Sequence, residues 1–242
     1  STPLYSSAAS DVYKRQGYGV KSITSDGLVF YVDGKNTKSY SGSGSTAKDV
    51  GGGLSGTITG ATHSDGIFTF DGSDDNIDFG TNLGTLPTNG YSVCAWVYPD
   101  SGMSNKPIVG TAWSSNAPDN GFHMRILSGD KVRLITLCDG YDYRDTSSSL
   151  STSSWNHVCG TYNASSRTTN MYLNGSSNQG SNINNGSIGT FNNTRTIKVG
   201  GTGGNSGAVW DGKIAIVQLY SREISATEIS QNFNAQRGRF GI

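Results

Sequence analysis

Glutamate is nearly missing from this chain: of 242 residues only Glu223 and Glu228 carry it. Histidine and cysteine are almost as scarce, with three of each, and there are five prolines. Each shortage bears on a class of function. His63, His123 and His157 stand far apart and no C-x-x-C pair occurs, so the spacings of zinc sites are absent. No G-x-S-x-G segment or Ser/His/Asp constellation points to a nucleophilic hydrolase. Eighteen basic residues balance eighteen acidic ones, and none gather beyond "YKR" and "QRGRF". Nucleic-acid recognition needs concentrated positive charge to displace counterions, which disfavours that role. No apolar run nears the ~20 residues of a bilayer span and nothing has signal-peptide form, so no membrane insertion is expected.

What the chain has in quantity is glycine, 34 residues, with many Ser, Thr and Asn; it is 33% hydrophobic and 15% charged. Such a polar, uncharged, turn-rich composition reads as an extracellular β-protein. No charged or Pro-rich linker divides it, so residues 17–242 are read as a single domain. Residues 1–16, containing "SSAASDVYKRQ", do not fit the strand pattern that begins near Leu28. They resemble a translated sequencing adapter and are set apart, which would make the chain the C-terminal part of something longer; the alternative is an ordinary disordered leader.

From Leu28 onward, short β-branched and aromatic runs follow one another: "LVFYVDG", "IFTFDG", "YSVCAWVYP", "KPIVGTA", "GFHMRIL", "KVRLITLC", "WNHVCGTYN", "TNMYLNG" and "VWDGKIAIVQLY". Gly, Asn, Ser and Asp punctuate them, the signature of an antiparallel sandwich or barrel. Alternation in "SVCAWVY" sets Val93, Ala95 and Val97 on one face and Cys94, Trp96 and Tyr98 on the other. Asn174-Gly175 is a two-residue hairpin signal. One helix is expected: in "SATEISQNFNAQ", Ser225 and Glu228 form a capping box, Ile229 and Phe233 share a face, and about three turns end before Gly238.

The succession "FDGSDDNIDFG", "YSVCAWVYP", "SWNHVCGTYNASSRTTNMYLNG" and "IKVGGTGGNSGAVWDGKIAIVQLYSREISATEISQNF" resembles the laminin-G-like branch of the concanavalin A-like lectin/glucanase superfamily, close to the pentraxins. The two ends look like copies carried on tailed-phage virion and fibre proteins. The resemblance implies an all-β, antiparallel two-sheet jelly-roll sandwich with one short C-terminal helix. It also implies a disulfide between Cys94 and Cys159 on neighbouring strands, with an extracellular or virion-surface location. Two buried free thiols are the alternative, and Cys138 is left without a partner. Opposed residues of antiparallel strands have Cβ atoms ~4.5–5.5 Å apart, close to what a disulfide requires.

Glycosidases of the superfamily use a compact E-x-D-x-x-E strand, which two Glu beside the helix cannot supply, so the chain is read as no enzyme. A Ca²⁺ site of the pentraxin kind would fall on Asp119 and Asn120, with Asn205 and Asp211 in the second loop, which lacks that family's acidic set. Asp71, Asp74, Asp75 and Asp78 are a competing cluster, with Asp75 and Asp78 expected on different faces. For each, a solvated turn is the plain alternative. Sugar recognition combines aromatic platforms with amides and carboxylates. Trp113, beside the Asp119/Asn120 loop, is the candidate platform, with Tyr141 and Tyr143 as a second wall and Asn205 as a further ligand residue; Trp96, Trp155 and Trp210 are assigned to packing. The two functions that follow are a lectin-like adhesion module for a surface glycan and a non-catalytic structural or decoration domain contacting other virion proteins.

Overall fold

The computed structural model describes residues 22–81, 89–113, 121–137, 140–185, 196–203 and 207–242. The 1–16 leader, Cys138, Asp119, Asn120 and Asn205 lie outside them. Two antiparallel sheets face each other. One sheet runs β14 (Ser176–Ser177), β13 (Thr168–Leu173), β12 (Asn156–Asn163), β7 (Gly90–Pro99), β17 (Asp211–Tyr220), β5 (Ile67–Asp71), β4 (Thr62–Ser64), with β1 (Leu28–Asp33) also on β17. The nine-stranded sheet runs β15 (Asn182–Asn184), β11 (Tyr141–Asp145), β10 (Val132–Leu137), β9 (Gly121–Ile126), β8 (Lys106–Gly110), β16 (Lys198–Val199), β6 (Asn76–Asp78), β3 (Ser55–Thr59), β2 (Thr46–Lys48). β5 takes the first half of β17 and β1 the second. The arrangement is the two-sheet, nearly all-β sandwich expected from the alternation.

The core lies between the sheets. Val93, Ala95 and Val97 of β7 meet Phe122, Met124 and Ile126 of β9 and Leu134 of β10 in one buried cluster. Burying such side chains stabilises by about 1.5–3 kcal/mol each. Turn chemistry fits the hairpins: Asn174 and Gly175 have φ of 49° and 76°, as the two-residue turn between β13 and β14 demands.

The other side of β7 is buried too, which plain alternation in a two-layer protein does not require. Cys94 and Trp96 point outward from the first sheet and are covered by helix α1 (Ala226–Gln236). Ser225 caps it, accepting from the Glu228 amide and donating its own amide to the Glu228 carboxylate at 2.8 Å. Ile229 is fully buried, and Phe233 stacks on Trp96 with ring centroids 5.7 Å apart. The helix ends before Gly238, as expected, and Arg237–Arg239 add a 3₁₀ turn. Two contacts hold that turn on the sheet, Arg239 with Asp33 at 2.5 Å and Phe240 stacked 4.1 Å from Trp96.

Beneath the helix, Cys94 and Cys159 are directly opposed on β7 and β12 and form a disulfide. Free thiols are therefore not the state of this pair. His157, next to them, is fully buried with its Nε2 3.7 Å from Cys159 Sγ and its Nδ1 without a partner. Burial drives its pKa down to about 3. It is neutral packing under Phe233 and Trp96.

Candidate functional site

The first sheet is sealed by α1; the outer face of the nine-stranded sheet is not covered by a helix among the described residues. Its strands alternate. Phe122, Met124 and Ile126 enter the core, so His123 and Arg125 face out. On β10 the outward residues are Arg133, Ile135 and Leu137, and on β11 they are Tyr141, Tyr143 and Asp145. Ile135, Leu137 and Ala112 make a separate apolar cluster against Tyr141 and Tyr143.

Register turns these into a continuous line. Ile183, Tyr143, Ile135, His123, Gly110, Lys198, Asp78, Thr57 and Thr46 are successive cross-strand partners from β15 to β2. Directly opposed residues share a face, so the line runs across the outward side of the sheet, eight strand gaps or roughly 38 Å, with Ile135, His123 and Gly110 near its middle buried. One half is aromatic and cationic. The other is polar, with a hollow of about 530 Å³ bordered by Ser55, Thr57, Asn76, Asp78, Thr196 and Lys198. Gly110 marks the join: a Cβ there would lie 2.4 Å from His123 Cβ, so only glycine lets β8 run this close.

At the aromatic end the Trp113 ring stacks on His123, centroids 5.2 Å apart and planes 18° apart. The Arg125 guanidinium is 5.1 Å from its centroid. His123 is fully buried and donates Nδ1–H to the Ala112 carbonyl at 2.8 Å, since a carbonyl can only accept. Its Nε2 then carries a lone pair with no partner. Burial, reinforced by the Arg125 charge, lowers its pKa to about 3. Arg133 makes a two-pronged bond to Asp145 at 2.6 and 2.9 Å and lies 3.7 Å over Tyr143. Tyr141 and Tyr143 are half-buried neighbours 5.8 Å apart.

Of the sequence-predicted sugar residues, Tyr141 and Tyr143 face outward on β11, and Trp113, in the bend after β8, lies against outward-facing His123 of the same sheet. Trp113 is half-buried and braced from below. Of the Ca²⁺ set only Asp211 is described; it is the partner of Asp71 across β17 and β5. Asp71, Asp74 and Asp75 bring ligand oxygens within 4.8 Å of one another, while Asp78 departs to Lys198 at 3.2 Å, the separation expected for it. Oxygens of Asp75 and Asp71 already accept the Asp71 and Ser73 amides. Three carboxylates, two of them so engaged, fall short of the six to eight oxygens Ca²⁺ takes, leaving Asp211, carbonyls and water to complete a shell. Trp96 and Trp210 are buried and Trp155 packs on Phe240, as assigned. His123, Arg125, Arg133 and Asp145 were missed, although alternation in "GFHMRIL" and "KVRLITLC" places them beside the tyrosines.

Both glutamates are engaged in structure. Glu223 accepts from Thr161, Asn163 and Asn170. Glu228 pairs with Arg222 and caps α1; Arg222 holds its carboxyl down to about 2. Among the described residues the carboxylates on the strands of the open face, Asp145 on β11 and Asp78 on β6, are five strand gaps or roughly 24 Å apart. A glycosidase pair sits ~5–9.5 Å apart.

The laminin G 3 model of the concanavalin A-like lectin/glucanases superfamily matches residues 71–230. No curated protein matches the chain. Trypanosoma rangeli sialidase in complex with the inhibitor DANA superposes with a TM-score of 0.64 at 18% identity, over 88% of this chain and 33% of that one. This chain therefore spans about a third of the sialidase. Domain 4 of AbnA, a GH43 extracellular arabinanase from Geobacillus stearothermophilus, in complex with arabinotriose, gives 0.59 at 16% identity over 85% and 97%. The receptor binding domain of botulinum neurotoxin C/D mosaic serotype gives 0.62 at 18%, over 88% and 52%. At such identities the likeness is one of fold.

Proposed function

The chain belongs to the concanavalin A-like lectin/glucanases superfamily, and from that premise we propose that it is a non-catalytic carbohydrate-binding module taking an extended saccharide along the outer face of its nine-stranded sheet. The observation that carries this is the unbroken cross-strand line from Ile183 to Thr46, with braced aromatics at one end and a polar hollow at the other. Sugar rings present apolar faces that stack on aromatics and hydroxyls that need polar partners; this surface offers both in series. A neighbour of nearly the same length, domain 4 of the arabinanase, was solved with arabinotriose, which supports the ligand class. The separation of Asp78 from Asp145 and the engagement of both Glu favour binding over hydrolysis.

The module belongs, on this proposal, to an extracellular or virion surface: the Cys94–Cys159 bond suits an oxidising compartment. Tailed-phage fibres, whose modules the two ends of the sequence resemble, are the setting we favour, with Ca²⁺ as an accessory at Asp119, Asn120, Asn205 and Asp211 or at the Asp71 turn. Calorimetric titration against a panel of neutral and acidic polysaccharides, with Ca²⁺ and with EGTA, on wild type and Trp113→Ala, tests it. Binding that Trp113→Ala weakens supports the face. Silence against every polysaccharide from a folded protein refutes the module and favours a structural domain contacting other virion proteins.

A further inference from the structure

Of the outward charges on β9, β10, β11, β16 and β6 all but one are matched, while Lys48 at the far edge of the sheet is exposed to solvent. Arg133 has Asp145, in a two-pronged bond. Lys198 has Asp78, at 3.2 Å. Arg125 has no ion pair or hydrogen bond among the described residues, and its Nε is buried without a partner. It is also directly opposed to Arg133 across β9 and β10. Like charges in that relation repel; the Asp145 charge offsets part of this at Arg125, but its hydrogen bonds go to Arg133. On its remaining side Arg125 is opposed to Pro107 of β8, which brings no charge.

The surroundings make this more than a surface arginine. The guanidinium is half-buried beside the Trp113 ring, and its pKa is lowered first by burial and then by Arg133. His123, two residues earlier on the same face, stays neutral and adds no compensating anion, while its fully buried Nε2 leaves a second polar atom without a partner. A half-desolvated cation facing a like charge, next to an aromatic ring and an unmet acceptor, is matched by an anion carried on a ring with hydroxyls. A guanidinium fork binds carboxylate or sulfate through two parallel N–H···O bonds, which an ammonium cannot copy.

We propose that Arg125 anchors an acidic group, a carboxylate or a sulfate ester, on the saccharide bound by this face, so that the module selects acidic polysaccharides over neutral ones. The inference rests on the binding face proposed above. The sugar ring carrying the acidic group lies against Trp113, and neutral residues of the polymer follow the line past Gly110 toward Lys198 and Thr57.

The test is calorimetric titration of the full chain with polygalacturonate, dextran sulfate and neutral arabinan and dextran, at low and at moderate NaCl. Binding to one or both acidic polymers at least tenfold tighter than to the neutral ones is expected, weakening with salt; which of the two is preferred tells carboxylate from sulfate. Arg125→Gln should abolish that preference, and Arg125→Lys should recover only part of it. A melting curve for each variant controls for folding; Arg125→Gln should melt no lower than wild type, since it relieves repulsion with Arg133. Equal affinity for acidic and neutral polymers, or an acidic preference that survives Arg125→Gln, overturns the role of Arg125 while leaving the face intact. Failure to bind any polymer overturns the face itself.

Discussion

Replacing Cys94 and Cys159 together by alanine removes a cross-link that spans 65 positions. The closed segment leaves the first sheet at β7, passes through β8 to β11 of the nine-stranded sheet, and returns at β12. The bond therefore ties down the strands that carry Trp113, Arg125, Arg133 and Tyr143. The loop-closure entropy of a chain segment of this length corresponds to about 4 kcal/mol at 25 °C. For a domain of this size each kcal/mol moves the melting temperature by ~2–4 °C, so a fall of roughly 8–16 °C is expected. Both sulfurs are fully buried under Tyr172, Ile224 and Ile229, and the void left by truncation pushes the loss toward the upper end. Scanning calorimetry on oxidised wild type, reduced wild type and the double variant separates the terms, because reduction opens the loop without removing the sulfurs. Reduced wild type should show most of the loss, and oxidised protein should release no Cys94 or Cys159 thiol when unfolded without reductant. A fall below about 3 °C for reduced wild type would refute the reasoning.

Acid should destabilise the fold well above the usual carboxylate range. His123 and His157 are held neutral with pKa values lowered to about 3, so from pH ~6.5 downward the unfolded chain takes up protons the folded chain refuses. Stability is complete above that pH and declines toward pH 3 by up to about 1.4 kcal/mol per pH unit for each histidine; urea midpoints that stay level between pH 7 and 4.5 would contradict this. Glu228, lowered to about 2 by the Arg222 bond, contributes stability that is present above ~4.3 and lost as pH falls through 2. Glu228→Gln should accordingly lower the melting temperature at pH 7 and lower it much less at pH 2, where the folded-state carboxyl is half protonated. Gly110→Ala forces a Cβ to within 2.4 Å of His123 Cβ; overpacking of about 1–3 kcal/mol is expected, with a shift in Trp113 emission.

Much of the architecture was legible because strand period, turn residues and the capping box agree. "SVCAWVY" announced its two faces, Asn174-Gly175 its hairpin, and Ser225 with Glu228 its helix start. The pairing of Cys94 with Cys159 came from resemblance and was compatible with opposed strands, but alternation alone does not reveal which strands are neighbours. What sequence could not reveal is that α1 and the turn after it would bury the outward side of β7. That burial depends on Trp96, Phe233 and Phe240 meeting across more than a hundred residues. The same limit applied to the candidate face. Trp113, Tyr141 and Tyr143 are legible as aromatics near turns, yet the alignment of Tyr143 with Gly110, Lys198 and Asp78 follows from register between strands distant in sequence. Arg125 drew no notice because an arginine in a strand is ordinary until its neighbours are found to be spoken for.

The central claim is that saccharide binds the outer face of the nine-stranded sheet. The most direct measurement compares the affinity of the best-binding polysaccharide for Tyr143→Ala, on that face, and for Trp155→Ala, an aromatic of the opposite sheet. Loss of a stacking ring worth about 1–1.5 kcal/mol predicts roughly tenfold weaker binding for Tyr143→Ala and unchanged binding for Trp155→Ala. Unchanged affinity at Tyr143 with loss at Trp155 would contradict it.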